Sequence, residues 1–326
     1  MKSLNILGIE TSCDETSASV VKDGKLILSN VVATSLKDHQ KYGGIIPEIA
    51  SRKQLELISA VTHRALETAK TSLKQIDSVA VTSSPGLIGS LLVGISFAQS
   101  LAYALKKPFI EVNHITAHLY ANFLKKKGAK EQVKKIPKLP AVGLVVSGGH
   151  SSLFYIKNFN HFLPLGQTRD DAAGEAYDKV ARILNLGYPG GPAIDRLSKM
   201  GTNNNLQFPC ADLPNSFDFS FSGIKTSVYY HVKKQKKITS SHVREIAFSF
   251  QTSVVAALVK KTLLACESKR AKTIVVGGGV AANSKLRKEL YSQAEKKNIE
   301  IFFPDIDLCM DNAAMIAGLG YHYTKK

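Results

Sequence analysis

The 326 residues exceed what one small core organises, so two domains, or two lobes of one fold, are expected. With 44% hydrophobic and 21% charged residues the chain has a soluble globular composition, and no run of about 18 apolar residues predicts a membrane span. The balance is strongly basic, +17 from 43 Lys and Arg against 26 Asp and Glu, which favours a polyanion, and nucleic acid is the usual one.

Lysines carry that charge in clusters: KKKGAKEQVKKIPK (125–138), KKQKK (233–237) and SKLRKEL (284–290). A solvated lysine-rich surface accounts for them equally well, and no RRM, KH, zinc-finger or helix-turn-helix signature decides between the two. Cys13, Cys210, Cys266 and Cys309 lie far apart with no CxxC pair, which excludes a disulfide framework and a zinc ribbon. A reducing, cytoplasmic location is expected. The start, MKSLNILGIETSCDE, reads as a first buried strand rather than a signal or transit peptide, because Glu10 and Asp14 follow its apolar run at once.

In chain order, LNILGIE (4–10) predicts a strand. SASVVKDGKLILSNVVA (17–33) predicts two more, joined by an Asp23-Gly24 hairpin turn. The 47–69 stretch has helical periodicity with Pro47 near its start. SVAVTSSPG (78–86) is a strand entering a Gly/Pro turn, and GSLLVGISFAQSLAYAL (89–105) is an apolar helix expected to be buried. PFIEVNH (108–114) is a short strand that runs into NHITAHLY.

The lysine-rich stretch ending at Pro137 and Pro140 marks the expected boundary, with a first lobe at 1–136 and a second at 137–310. Beyond it the opening pattern returns. AVGLVVSGGHSSLFYIKNF (141–159) is again strand, polar turn, strand, so each half begins with the same unit. About 170–260 is mostly helical, broken by a Pro/Asn/Phe-rich loop at 203–222. TIVVGGGVAANSKLRKEL (273–290) is a strand, a glycine-rich turn and a helix that Asn283 is placed to cap.

Turns of this kind offer backbone N–H groups to phosphate, and the TSCDET turn adds Asp14 and Glu15. A single Gly-Gly turn is usually only a turn; the recurrence at the head of two halves is the stronger signal. GGGVAAN is not GxGxxG, so a dinucleotide fold is disfavoured. In NHITAHLY, His114 and His118 stack one helical turn apart on one face. Such a pair is more often structural than ligating. It lacks the intervening glutamate of HExxH, which counts against a zinc protease, and two imidazoles require at least one further ligand to hold a metal.

The three elements TSCDET, SGGH and VVGGGVAANSKLR, in this order, resemble the phosphate-1, phosphate-2 and adenosine motifs of the actin-like ATPase (ASKHA) superfamily. The resemblance implies an α/β fold of two lobes on RNase H-like mixed sheets, with a ligand cleft between them and a final helix, 311–326, completing the first lobe. Within that superfamily, GIETSCDET, YGGIIPEIASR, SPGLIGSLLVG, NHITAH, SGGHSSL, DDAAGEAYDKVARILNLGYPGGP, FSFSGIKT, GGGVAANSKLR and MDNAAMIA resemble the tRNA threonylcarbamoyladenosine-synthesis family, bacterial and mitochondrial branch, across nearly the whole chain.

That resemblance implies transfer of a threonylcarbamoyl group from threonylcarbamoyl-AMP to N6 of adenosine 37 in tRNAs reading ANN codons. It completes a metal site with Asp311 beside His114 and His118, for iron(II) or alternatively zinc. It assigns Val146, Ser147, Gly148, Gly149 and His150 to the threonylcarbamoyl and phosphate region, and Asp178, Gly191, Asp195 and Asn283 to the adenylate. Asp14 and Glu15 are left to orient the amine or accept its proton. Its implied partners are tRNA, a catalytically silent paralogue and a P-loop ATPase, or a second copy of the chain, with no membrane. The alternatives are a carbohydrate kinase or ATPase of the same fold, which leaves the histidines without a role, and, further off, a metallopeptidase.

Overall fold

The computed structural model describes residues 3–126, 135–202 and 206–324. Part of the first lysine cluster (127–134) and the asparagines 203–205 lie outside the described residues. The chain forms two compact units, Met1–Ile136 with Asp305–Lys326, and Pro137–Pro304.

The first unit is built on β1 (Asn5–Glu10), β2 (Glu15–Lys22), β3 (Leu26–Thr34), β4 (Ser78–Ser84), β5 (Phe109–Asn113) and β6 (Lys125–Lys126), in the order β5-β4-β1-β2-β3-β6. β1, β2 and β3 form an antiparallel meander, and β4 and β5 extend it in parallel. The β2–β3 turn has Asp23 and Gly24 both at positive φ, 52° and 68°, the conformation a two-residue hairpin loop requires. β1 is buried on both faces, which is why it reads as a continuous apolar run rather than an alternating one.

Leu7, Ile9, Val79 and Val81 pack with Ile58, Ala65 and Ala98 of the covering helices in one core, each large side chain contributing about 1.5–3 kcal/mol. The helices are α1 (Leu36–Gln40), α2 (Pro47–Ala69), α3 (Ile88–Leu105) and α4 (His114–Tyr120). Proline at the first turn of α2 is where its missing N–H costs nothing.

The apolar helix α3 is not the buried element its composition predicts. Its buried stripe is small, Ser90, Gly94, Ala98 and Ala102, and lets the helix approach the sheet closely. Of its large residues, Val93, Ile95, Phe97 and Leu101 pack half-buried against the core, whereas Ile88 at 87% and Leu92 at 63% exposure face outward. Length and hydropathy alone would let this helix cross a membrane, but mean apolarity does not say which side chains face the sheet.

The second unit repeats the layout. β7 (Ala141–Val146), β8 (Ser151–Asn158) and β9 (His161–Gln167) form the meander, and β10 (Thr273–Gly277) and β11 (Glu300–Phe302) extend it in parallel, in the order β11-β10-β7-β8-β9. Its helices are α5 (Ala173–Ile183), α6 (Gly190–Ser198), α7 (Ser222–Lys233), α8 (Ser240–Lys269) and α9 (Ser284–Glu295).

The chain then returns to the first unit as α10 (Ala313–Gly320). Gly8 on β1 permits this: a Cβ there would lie 2.3 Å from the Ala313 carbonyl oxygen. Three side chains satisfy the first N–H groups of α10. Asn312 caps it by accepting from Met315 N, Ser17 Oγ accepts from Ala313 N at 2.9 Å, and Asn30 Oδ1 accepts from Ala314 N at 3.3 Å. β2 and β3 thus fix the start of α10, and with it Asp311 two residues earlier.

Candidate metal centre and second-unit polar network

Asn113 ends β5 and caps α4 by accepting from Thr116 N, so the short helix opens on His114 and places His118 one turn on. The two Nε2 atoms are 3.2 Å apart. Asp311 Oδ1 lies 3.1 Å from His118 Nε2 and 3.6 Å from His114 Nε2. Metal bonds of about 2.0–2.2 Å at tetrahedral angles set donor atoms roughly 3.3–3.6 Å apart, and the three separations lie in that range or about 0.2 Å below it. Two neutral imidazoles and one carboxylate suit iron(II) or zinc and leave open coordination positions. These three residues are able to hold a metal ion.

Behind them stands Glu10, fully buried at the end of β1. Its carboxylate takes the Ser12 N–H, the Thr82 hydroxyl and, at 3.0 Å, His114 Nδ1. Burial pulls the His114 pKa down, but the charges of Glu10 and Asp311 outweigh it and hold it up to about 9. Glu15 is pushed up to about 10 by burial, then by Asp311 and Asp14. A bound cation reverses that local logic, since its charge offsets the crowded carboxylates.

Gln54, buried on α2, holds the turn that bears these acids. Its Nε2 donates to the carbonyls of Thr11, Cys13 and Glu15 at 3.2, 2.9 and 3.1 Å. The sequence reading missed both Glu10 and Gln54. Glu10 has a visible signal, a carboxylate closing an apolar strand; Gln54 has none, because it sits in an ordinary amphipathic helix.

The other site residues lie in the second unit. Val146 is buried at the end of β7, and Gly278 (φ 89°) passes over it so closely that a Cβ would lie 2.3 Å from the Val146 carbonyl oxygen. Ser147 anchors the following turn: its N–H donates to the His150 carbonyl, its Oγ accepts from His150 N, and its carbonyl accepts from Gly174 N in α5. A Cβ on Gly148 or Gly149 would meet nothing within 4 Å, so the backbone between Ser147 and His150 is open to a ligand.

Asp195 and Asn283 are joined through residues the sequence reading did not single out. Gln251, on α8, donates to Asp195 Oδ1 at 3.2 Å and to Ser198 Oγ at 2.7 Å. Its Oε1 accepts from Asn283 Nδ2 at 2.8 Å and from the Tyr177 hydroxyl at 3.3 Å. Ser284 Oγ donates to Asp195 Oδ1 at 2.9 Å. Asn283 also caps α9 by accepting from Leu286 N. Asp178 is apart from this network; it accepts from Gly190 N at 2.7 Å and so holds the start of α6, where Gly191 faces open space. Burial raises the Asp178 pKa, partly offset by that Gly190 bond.

Solved structures match the chain at the level of fold. Component A of the Acidaminococcus fermentans (R)-2-hydroxyglutaryl-CoA dehydratase is 17% identical with a TM-score of 0.57, over 99% of this chain and all of that one. HypF of T. kodakarensis is 13% identical with a TM-score of 0.63, over 98% of this chain and 47% of its own. These neighbours have the actin-like ATPase fold, so the expected two-sheet α/β architecture is the one observed.

Sequence relatives are far nearer. The tRNA N6-adenosine threonylcarbamoyltransferase of Clostridium botulinum (strain Hall) is 50% identical over 322 residues, 98% of this chain and 92% of the relative. That of Caldicellulosiruptor saccharolyticus is 49% identical over 319 residues, 97% and 92% of the two chains. The profile of the same family matches residues 26–318, and the chain belongs to the tRNA N6-adenosine threonylcarbamoyltransferase family.

Proposed function

We infer that this protein transfers the threonylcarbamoyl group of threonylcarbamoyl-AMP to N6 of an adenosine in tRNA, adenosine 37 of tRNAs reading ANN codons. Identity of 50% over 98% of the chain with relatives of that activity carries the reading. In the reaction the exocyclic amine attacks the carbamoyl carbon, the bond to the AMP oxygen breaks, and the amine loses a proton. AMP is a good leaving group, so positioning and charge stabilisation suffice and no covalent enzyme intermediate is required.

His114, His118 and Asp311 hold a divalent cation in this reading, iron(II) first and zinc second. Once bound, such an ion supplies positive charge to the donor's oxygens. Asp195, Asn283 and the Gly191 backbone receive the adenylate, with Asp178 keeping the start of α6 in place. The 146–150 turn receives the threonylcarbamoyl and phosphate groups on its open backbone. Asp14 and Glu15 orient the amine or accept its proton, held for that purpose by Gln54.

The exposed Ile88 and Leu92 of α3 support a protein partner, which we take to be the silent paralogue or a second copy of this chain, with a P-loop ATPase completing the set. The cytoplasm is the location we propose, since it holds the tRNA substrate. The test is a complete modification mixture of unmodified tRNA, threonine, bicarbonate, ATP and the donor-forming enzyme, with and without the partners. Threonylcarbamoyladenosine in digested tRNA is expected; its absence from every combination rejects the reading. His114→Ala, His118→Ala and Asp311→Ala should each lose metal and product together.

A further inference from the structure

Helix α7 leaves a face that the reaction as described does not use. Ile224 and Val228 are its buried stripe, and Tyr229 and Tyr230 stand out opposite them at 47% and 56% exposure. The two rings meet edge to face with centroids 5.5 Å apart, and Lys233 Nζ lies 5.9 Å from the Tyr229 ring centre. Lys233, Lys234, Lys236 and Lys237 follow, all exposed. From Phe219 to Arg244 the chain has no Asp or Glu. Lys126, Lys179, Lys199 and Lys260 each have a carboxylate partner. Among the described residues none of the four lysines after Tyr230 has one. Their charge is therefore available to an outside anion, and the adjacent rings are available to flat, unpaired bases.

The other end of α7 is tied to the 147–150 turn. The Asp170 carboxylate accepts from Phe221 N and Ser222 N at the helix start, and Lys225 Nζ lies 3.2 Å from Asp171. The segment around that loop is bonded to the start of β8 through Thr168 N to the Ser151 carbonyl, and to the turn itself through Gly174 N to the Ser147 carbonyl. Twelve residues of helix span roughly 18 Å. The basic end thus stands roughly 18 Å along the helix from the loop bonded to the turn assigned to the donor.

We propose that the exposed face of α7, Tyr229 and Tyr230 with the lysines at 233–237, binds the single-stranded part of the tRNA substrate. The phosphates lie on the lysines and splayed bases stack on the two tyrosines. This rests on the transferase reading and adds to it the surface that holds the acceptor. The residues are exposed, so their substitution is expected to leave the fold intact.

The test uses a labelled anticodon stem-loop in an anisotropy titration, and the KM for tRNA in the complete mixture with partners. Tyr229→Ala/Tyr230→Ala should weaken the stem-loop Kd about tenfold or more and raise KM in step, with kcat little changed. Replacing the four lysines by serine should lower the magnitude of the salt slope of log K by about 3. Lys285→Ser/Lys288→Ser on α9, which removes two lysines elsewhere in the same unit, is the control and should leave the stem-loop Kd within about twofold. Unchanged Kd, slope and KM in both α7 variants overturn the proposal while the transferase reading stands, provided wild type makes product. Variants that keep tRNA affinity but no longer co-elute with a partner protein also overturn it, by making the face a protein surface. Wild type that makes no product rejects the transferase reading itself, a different result from a failed α7 variant.

Discussion

Glu10 Oε2 lies 3.0 Å from His114 Nδ1, at the far side of the imidazole from His118 and Asp311. A carboxylate on one ring nitrogen sets the tautomer and leaves the other nitrogen's lone pair for a metal, and partners of this kind tune affinity as well as orientation. Glu10 is tied at once to Ser12, Thr82 and His114, so its position is over-determined.

Glu10→Gln should therefore weaken metal binding about 10–100-fold without removing any of the three ligands. Calorimetric titration of the chelator-stripped protein with zinc measures this directly. An unchanged Kd in a folded variant would show that the Glu10–His114 bond does no more than pack the core.

Gly191 and its neighbour Gly190 differ in what surrounds them. A Cβ at Gly190 would lie 2.5 Å from Ala181 Cβ and 2.7 Å from the Tyr177 carbonyl, whereas one at Gly191 meets nothing within 4 Å. Gly190→Ala should cost about 1–3 kcal/mol by overpacking. Gly191→Ala should leave stability within about 0.5 kcal/mol, yet raise the KM for the donor if the adenylate rests on that backbone. Urea unfolding and donor titration separate the two; a Gly191→Ala enzyme with an ordinary KM would remove Gly191 from the nucleotide site.

Asn283 has two jobs that one substitution divides. Asn283→Asp keeps an oxygen for Leu286 N, and so keeps the α9 cap, but sets a carboxylate against Gln251 Oε1 where Nδ2 now donates at 2.8 Å. A loss of about 1–3 kcal/mol is expected, from the broken buried bond rather than from the cap. If denaturation shows Asn283→Asp as stable as wild type while Asn283→Ala is destabilised, the cap alone matters.

Asp171 carries a pH dependence whose sign is readable. Burial acts to raise its pKa, but hydrogen bonds and charge from Lys179 and Lys225 outweigh it and hold it below the usual carboxylate value. A carboxylate with a depressed native pKa stabilises the fold above its unfolded pKa of about 4, and that contribution is lost as pH falls through the native value. Wild type should therefore exceed Asp171→Asn in stability at pH 7, with the gap closing on acidification below about pH 4. Urea midpoints at pH 7, 5, 4 and 3 show this; a gap constant with pH would mean the aspartate's charge is not what links α5 to α7.

Several features were legible in sequence because they are local. The Asp23-Gly24 hairpin, the Pro47 start of α2 and the Asn283 cap each follow from one or two residues whose conformational preferences are strong. Helical spacing alone stacks His114 above His118. The error over α3 has the opposite cause: its apolar content was read correctly, but which face is buried depends on a sheet that lies elsewhere in the sequence. Gln251 was invisible for the same reason, as one polar residue within AFSFQTSVVAALV, meaningful only once Asp195 and Asn283 stand beside it.

By itself, then, the sequence determined the order of strands and helices, the repeated strand–turn–strand units and the family, since periodicity, turn chemistry and motif order are properties of neighbouring residues. Only the tertiary structure decided that Glu10, from the first strand, stands behind the two histidines of α4, and what carries Asp311, which the family resemblance already assigns to them, back from the far end of the chain. That return depends on Gly8 admitting the Ala313 carbonyl and on Ser17 and Asn30 accepting the first N–H groups of α10. Contacts between residues so distant in sequence are set by packing, and no local pattern encodes them.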